Sequence, residues 1–401
     1  MIPVAEARAR ILAAARLTAA EWVSLDKARG RALAAPVTAR LTQPPCAMSA
    51  MDGYAVLGAD IASLPARLTL IGTAAAGHAF AGRVGKGEAV RIFTGAPVPD
   101  GADTVVIQEN VEAPGGADII IREAIPGRNI RKTGSDFAKD MLLLEPGRRL
   151  TVPMVALAAA AGHAGLQVRR APRLAILATG DELVRPGEPV GPAQIVSSNG
   201  IGLASFARAA GAEPLDLGIA PDRAEAIAAS IRAAKGADVL VTIGGASVGD
   251  HDLVRPVLES EGVTIDFWKI AMRPGKPLMF GTHPDGMLVL GLPGNPVSAL
   301  VCALLYLRPL LLAMQGLPAH LPEAEARLGA ALPANDKRAD FLRATLKTEP
   351  DGTLTALPFP AQDSAMLHVL ASSDALITRA PHAPAAPAGA PVTVIPLANL
   401  W

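Results

Sequence analysis

The spacing of apolar residues changes several times along the chain, and each change marks a different kind of structure. Over residues 4–16, Ala5, Ile11, Leu12 and Ala15 recur at roughly helical intervals with arginines between them, and a second short helix is expected around Leu25–Leu33. From about Pro45 to Asp136 short apolar runs (Leu68–Ile71, Ala89–Phe93, Thr104–Ile107, Ile119–Ile121) alternate with turns such as Pro99-Asp100-Gly101 and Pro114-Gly115-Gly116. That texture predicts a small all-β unit. Leu150–Gly165 returns to an alanine-rich helical stretch.

From Arg173 to about Gly316 the order is strand, loop, helix, repeated. Strands are expected at Leu174–Ala178, Leu215–Ile219, Val239–Ile243 and Met287–Leu290, and helices at Asn199–Ala210, Arg223–Ala234 and Val254–Glu261. Such alternation predicts parallel strands joined by right-handed crossovers. After Pro318 the chain reads as strands again (Phe341–Leu346, Leu354–Leu357, Ala375–Thr378, Val392–Ile395), a small C-terminal β domain with Ala380–Pro391 as an inter-strand loop.

At 401 residues the chain exceeds one ordinary core, so two to four domains are expected. The formal net charge is +0 and no long basic stretch occurs, which argues against a nucleic-acid surface and requires any anionic ligand to be met locally. Cys46 and Cys302 are far apart and lack metal-ligand spacing, so neither a disulfide framework nor a zinc site is expected. Glu6, Arg8 and Arg10 leave no signal-like apolar core at the N-terminus, and a cytoplasmic location is expected. Val297–Leu317 is apolar over a bilayer-spanning length, but Arg308-Pro309 interrupts it. A buried helix of the α/β unit is expected there, with no membrane.

Three constellations carry candidate chemistry. The first lies at the strand ends of the α/β unit: Asp181, Glu182, Asp222, Asp250 and Asp252, with the glycine turn Gly244–Gly249 (Gly244, Gly245, Ser247, Gly249) and the turn Pro293-Gly294-Asn295-Pro296. Ligands bind open α/β sheets at this rim. Collected carboxylates suit a magnesium ion on a phosphate ester, and main-chain amides can hold phosphate oxygens. Asp222 precedes a helix and serves equally well as its N-cap. The second constellation is Lys269, Arg273 and Lys276 within Trp268–Pro277, three cations without an intervening acid; on a strand Lys269 and Arg273 would share a face. The third lies in the β unit: Asp52 before Gly53, Thr94 after an apolar strand, and Asp136. An aspartate before glycine is more often turn chemistry than catalysis. No serine–histidine or cysteine–histidine pair can be argued, and His251 is the one histidine inside a candidate site.

Six motifs occur in a telling order: Ser49-Ala50-Met51-Asp52-Gly53-Tyr54, Thr94-Gly95-Ala96-Pro97, Thr179-Gly180-Asp181-Glu182, Gly244–Gly249, Pro274-Gly275-Lys276-Pro277 and Pro293-Gly294-Asn295-Pro296. Nearly end to end, the chain resembles the MoeA family of molybdopterin molybdenumtransferases, which includes the gephyrin E domain. The resemblance implies a multidomain α/β plus β fold: an elongated helical/β linker domain (1–43 and 137–168), a small β domain (44–136), a three-layer molybdopterin-binding α/β domain with a parallel-rich sheet (169–320) and a C-terminal β-barrel (321–401). It implies a homodimer that takes adenylylated molybdopterin and molybdate, with Mg²⁺, and releases AMP. Molybdopterin adenylyltransferase and apo-molybdoenzymes would be transient partners. By motif, Glu182, Asp222 and Asp252 look like the residues positioning the pterin phosphate and metal ion, and Ser247, Lys269, Arg273 and Lys276 like oxyanion and phosphate contacts. Pro293 and Pro296 would shape the pocket floor. Asp52, Thr94 and Asp136 resemble positions a second subunit adds, and Arg343 and Ser364 resemble positions for molybdate. Two departures stand out: Thr133-Gly134-Ser135 before Asp136 loses an expected acidic neighbour, and Cys46-Ala47-Met48 replaces an expected Phe-Asp-Asn. A molybdopterin carrier or scaffold, or an adenylyltransferase, are the rival readings.

Overall fold

A computed structural model of the chain describes residues 1–245 and 253–401. The strands of the α/β unit divide their side chains between two hydrophobic clusters. Leu174 and Ile176 enter one and Ala175 and Leu177 the other, and Val239 and Val241 separate from Leu240 in the same way. Neighbouring strand residues face opposite sides, so an unbroken apolar run requires cover on both. Helix Asn199–Ala209 and the apolar stretch beginning at Pro296 cover one face; helices Ala224–Ala233 and Val254–Ser260 cover the other. Three layers result.

The six strands lie in the order Glu213–Ala220, Arg173–Thr179, Val239–Ile243, Leu288–Leu292, Met279–Thr282, Thr264–Phe267. The first four are parallel, whereas Met279–Thr282 runs against both of its neighbours. The sheet is parallel-rich as expected, and the two strands at one edge add the antiparallel pairings. Two short strands escaped the sequence pattern because Pro277 and Pro284 flank one, while the other carries polar residues at alternate positions as a sheet edge does. From Arg173–Thr179 the chain moves outward to one neighbour, then returns to the other side. That switch point places a crevice beyond Thr179 and Ile243.

The stretch Pro296–Met314 is long and apolar enough to cross a membrane by composition, yet 83% of its window is buried inside the protein. It begins as an α-helix (Pro296–Cys302), widens to a π-helical turn (Ala303–Leu307) and resumes at Arg308–Met314. Pro309 lacks an N–H and its ring crowds the preceding turn, so a widened turn is the local response. The N-terminal helix Val4–Ala13 packs Ala7 and Ile11 into this same cluster, and Ile2 bridges Ile270. The expected helix at 25–33 is a single turn, Leu25–Ala28.

Residues 53–121 form a six-stranded sheet with apolar clusters on both faces. Beyond Leu321, strand Ala339–Thr348 pairs with both Leu354–Pro358 and Ala375–Arg379, and Ala324–Leu328 with Pro391–Pro396 closes the ring into a small barrel. The free edge at Ala339–Asp340 is taken by Met272–Arg273, in parallel. The cationic segment of the α/β unit is thus also a strand of the barrel.

Candidate functional site

A cavity of about 740 Å³ opens at the switch point. Its floor is glycine for a steric reason. Gly244 has φ +90°, and a Cβ there would stand 2.8 Å from the carbonyl oxygen of Thr179. Any other residue would both strain the backbone and press against the Thr179 strand end. Glu182 and Asp222 line the cavity with exposed carboxylates, and the Asp222 amide donates to Asp181 Oδ1 at 3.1 Å. Asp222 does not cap the helix that follows it: the N-cap position is Arg223.

The turn Pro293–Pro296 forms the adjoining wall, and side chains from two domains hold it. Asn199 Nδ2 donates to the Gly294 carbonyl at 2.6 Å. Asn295 Nδ2 donates to Ser364 Oγ at 2.8 Å, and the Val297 amide donates to the Ser364 carbonyl at 3.0 Å. Few main-chain amides of this turn are left for an anion. Pro296 has no N–H and the Val297 amide is already engaged by the barrel. Ser298, which also lines the cavity, is the next residue of that helix. Pro293, Gly294 and Asn295 line the space, whereas Pro296 does not.

The cations separate. Arg273 and Lys276 line the cavity; Lys269 does not, and its ammonium lies 4.0 Å from the Trp268 ring centre. The strand here is only Met272–Arg273, so Lys269 and Arg273 do not share one strand face. The Arg273 guanidinium grips Asp340 through Nε (2.8 Å) and Nη2, which raises its already high pKa, and Nη1 stands 3.8 Å from Asp336. Arg343 stands behind the wall made by Gln362 and Asp363. It is almost fully buried, its Nη1 donates to the Phe341 carbonyl at 3.2 Å, its Nε finds no partner among the described residues, and burial pushes its pKa down. Gln362 fixes the wall to that strand, accepting the Arg343 amide and donating to the Arg343 carbonyl, each at 2.9 Å.

Asp52 and Thr94 form a unit of their own. The Thr94 amide and hydroxyl both donate to Asp52 Oδ1 at 2.7 Å, which holds that carboxyl below its ordinary range. Asp136 is exposed, and none of these three lines the cavity of its own chain. Ser247, Gly249, Asp250, His251 and Asp252 lie outside the described residues. Among the described residues no three His, Cys, Asp or Glu side chains gather around one point.

Three models of known families cover the chain in order: "MoeA N-terminal region (domain I and II)" over residues 2–162, "Probable molybdopterin binding domain" over 175–313 and "MoeA C-terminal region (domain IV)" over 325–397. The molybdopterin molybdenumtransferase of Bacillus subtilis is 36% identical over 386 residues, covering 94% of this chain and 89% of that one. The chain belongs to the MoeA family of molybdopterin molybdenumtransferases. The molybdopterin molybdenumtransferase of Nostoc sp. is 39% identical over 304 residues, covering 74% of this chain and 70% of that one. Two solved structures of molybdopterin biosynthesis MoeA protein from Pyrococcus horikoshii match with TM-scores of 0.85 and 0.82, at 32% and 27% identity. They cover 99% and 98% of this chain and 99% of each of those chains.

The MoeA-type motifs therefore fall into two groups on the fold. Glu182, Asp222, Gly244, Gly245, Arg273, Lys276, Pro293, Gly294, Asn295 and Ser364 share one cavity. Asp52, Thr94 and Asp136 lie elsewhere. Sequence reasoning missed Asn199, Arg338, Asp340, Gln362 and Asp363. Asn199 reads from the sequence as a helix start, and the other four sit in stretches without a glycine signature. The barrel reaches the cavity through the pairing of Met272–Arg273 with Ala339–Asp340 and through the contacts of Ser364 with Asn295 and Val297.

Proposed function

We propose that the chain inserts molybdenum from molybdate into adenylylated molybdopterin, releasing AMP, within molybdenum cofactor biosynthesis. The supporting observation is one cavity that joins two carboxylates and two glycine turns on the α/β side to three cations, Arg273, Lys276 and Arg338, at the junction with the barrel. An adenylate phosphoanhydride needs donors and a divalent ion, and a second oxyanion needs cations of its own. Arg273 is pinned by Asp340 with its Nη1 3.8 Å from Asp336, and Arg338 is braced by Asp336 at 2.7 Å, so both cations are held in place beside the cavity. Preorganised charge of this kind stabilises a developing negative charge without reorganising during the step.

Glu182 and Asp222 fit Mg²⁺, which binds through one or two carboxylates together with substrate phosphates and keeps several waters; Asp252 is the third ligand in this reading. Bound there, the ion would supply charge neutralisation on the anhydride. The Gly244 and Gly245 turn would accept the phosphate closely because no side chain intervenes. Arg273 and Lys276 would hold molybdate beside it. A molybdate oxygen, or a water that gives its proton to solvent, then bonds to the pterin phosphorus as the anhydride P–O bond breaks and AMP departs with the electron pair. The two dithiolene thiols bond to molybdenum as one of its oxygens leaves as water with their two protons. The same reading takes the protein as a cytoplasmic homodimer in which Asp52, Thr94 and Asp136 of a second copy complete the cleft, with the adenylyltransferase and apo-molybdoenzymes as transient partners.

The test mixes purified protein with adenylylated molybdopterin, Mg²⁺ and molybdate and follows AMP. Molybdate-dependent release is expected, and Asp222→Asn should slow it by roughly 100-fold, as when one stabilising group is removed from a preorganised site. Tight adenylate binding with no molybdate-dependent release would mark a carrier or scaffold and defeat the proposal.

A further inference from the structure

A second cavity, of about 520 Å³, opens where three parts of the chain meet: the loop Gly147–Arg149, the buried helix at Arg308 and Leu312, and the C-terminal Asn399. Among the described residues its charged lining is arginine alone, Arg148, Arg149 and Arg308, with no carboxylate. Arg149 is built into place. Its Nη1 donates to the Gly30 carbonyl at 3.2 Å and its Nη2 to the Ala210 carbonyl at 3.0 Å, two carbonyls from different lobes. The Ala210 carbonyl also accepts from the buried Gln315 amide at 2.9 Å, so the anchor itself is fixed.

Arg149 and Arg308 are both half-buried, and nothing among the described residues offsets their charge. Burial depresses both pKa values, and the Arg149 charge depresses that of Arg308 further. Two guanidinium groups facing one partly desolvated space are unfavourable until an anion joins them. Guanidinium forks match the spacing of phosphate oxygens, and carbonyl anchors such as those on Arg149 remove the ordering cost of binding. Leu312 and Leu317 supply an apolar wall beside the charges.

We infer that this cavity binds a phosphate-class dianion between Arg149 and Arg308, at a site separate from the cavity at the glycine turns. The ligand is free phosphate or a phosphate monoester whose body rests on Leu312 and Leu317. The experiment titrates inorganic phosphate, then phenyl phosphate, into the full-length protein in chloride buffer at constant ionic strength, by calorimetry and thermal unfolding. Expected is a binding event that raises Tm, persists in Lys276→Ala and weakens at least tenfold in Arg308→Met. A tighter fit for phenyl phosphate assigns the monoester; equal affinity assigns free phosphate. Without phosphate, Arg308→Met should be at least as stable as the parent, since a like-charge contact is gone. Should that variant fail to fold, Arg308→Lys keeps the charge but loses the fork and should weaken binding several-fold. Phosphate affinity unchanged in either variant, or a Tm rise matched by chloride, overturns the site. So does a wild-type protein without phosphate binding whose self-association is lost in Arg308→Met, because a carboxylate of a second copy would then fill the cavity.

Discussion

The Arg273–Asp340 pair joins the α/β unit to the barrel, and its energetics are asymmetric. Asp340 has a side chain 5% exposed, whereas that of Arg273 is 49% exposed. Replacing Arg273 with alanine leaves a buried carboxylate without its two donors; replacing Asp340 with asparagine leaves a cation that water can reach. Breaking a fully buried pair from one side costs about 3–5 kcal/mol and an exposed pair is worth about 0.2–1 kcal/mol. With one partner dry and the other half wet, we expect Arg273→Ala to cost about 2 kcal/mol, intermediate between those limits. In an Asp340→Asn background the buried charge is gone, and the same substitution should cost about 0.5 kcal/mol, giving a coupling near 1.5 kcal/mol in a double-mutant cycle. Urea unfolding of the four proteins at pH 7, with and without high salt, measures it. A coupling below about 0.3 kcal/mol, within the ordinary error of additivity, would refute the reasoning. Arg273→Lys, which keeps the charge but not the fork, should recover only part of the loss.

Gly275 has φ +107°, and a Cβ there would stand 2.4 Å from Cys302 Sγ, so Gly275→Ala should cost about 2–4 kcal/mol from backbone strain and overpacking together. Adding Cys302→Ala should return the overpacking share; a double variant as unstable as the sum of the singles would contradict this. Ser364→Ala removes the acceptor of Asn295 Nδ2 but not the Ser364 carbonyl that holds Val297, so unfolding should shift by only about 1 kcal/mol. Its larger effect should be a raised KM for molybdate, read from AMP release. The Asp336 carboxyl, hydrogen-bonded first by Arg338, is held down from 3.8 to about 2. A depressed folded pKa gives stability that is complete above the unfolded value and lost as pH falls through about 2. The stability difference between the parent and Asp336→Asn should therefore persist at pH 5 and shrink between pH 4 and 2, and a pH-independent difference would contradict the assignment.

How far the site was legible follows from the reach of each signal. The strand ends at Thr179 and Ile243 and the turns at Gly244 and Pro293 were readable because β-rich apolar runs stop at glycine and proline for local reasons. Glu182 and Asn295 come with them as near neighbours in sequence, and Asp222 with the strand end at Ala220. The spacing of Lys269 and Arg273 suits one face of a strand. The real strand is two residues long, and Trp268 offers Lys269 a π face instead. The helix start at Pro296 promised free amides, and the barrel loop had already taken the Val297 N–H. Arg338, Asp340 and Gln362 had no local mark at all.

Local chemistry along the chain determined the layer order, the parallel core of the sheet, the rim that carries the site and the MoeA motifs, since periodicity, glycine φ and proline geometry act within a few residues. The tertiary structure alone decided the reversed strand Met279–Thr282, the packing of Val4–Ala13 beside the buried helix, the attachment of Met272–Arg273 to the barrel and the meeting of Arg149 with Arg308. Those outcomes depend on which surfaces remain unpaired once each unit has formed. A strand edge at Ala339–Asp340 and two uncompensated guanidinium groups are properties of assembled units, and no window of sequence contains them.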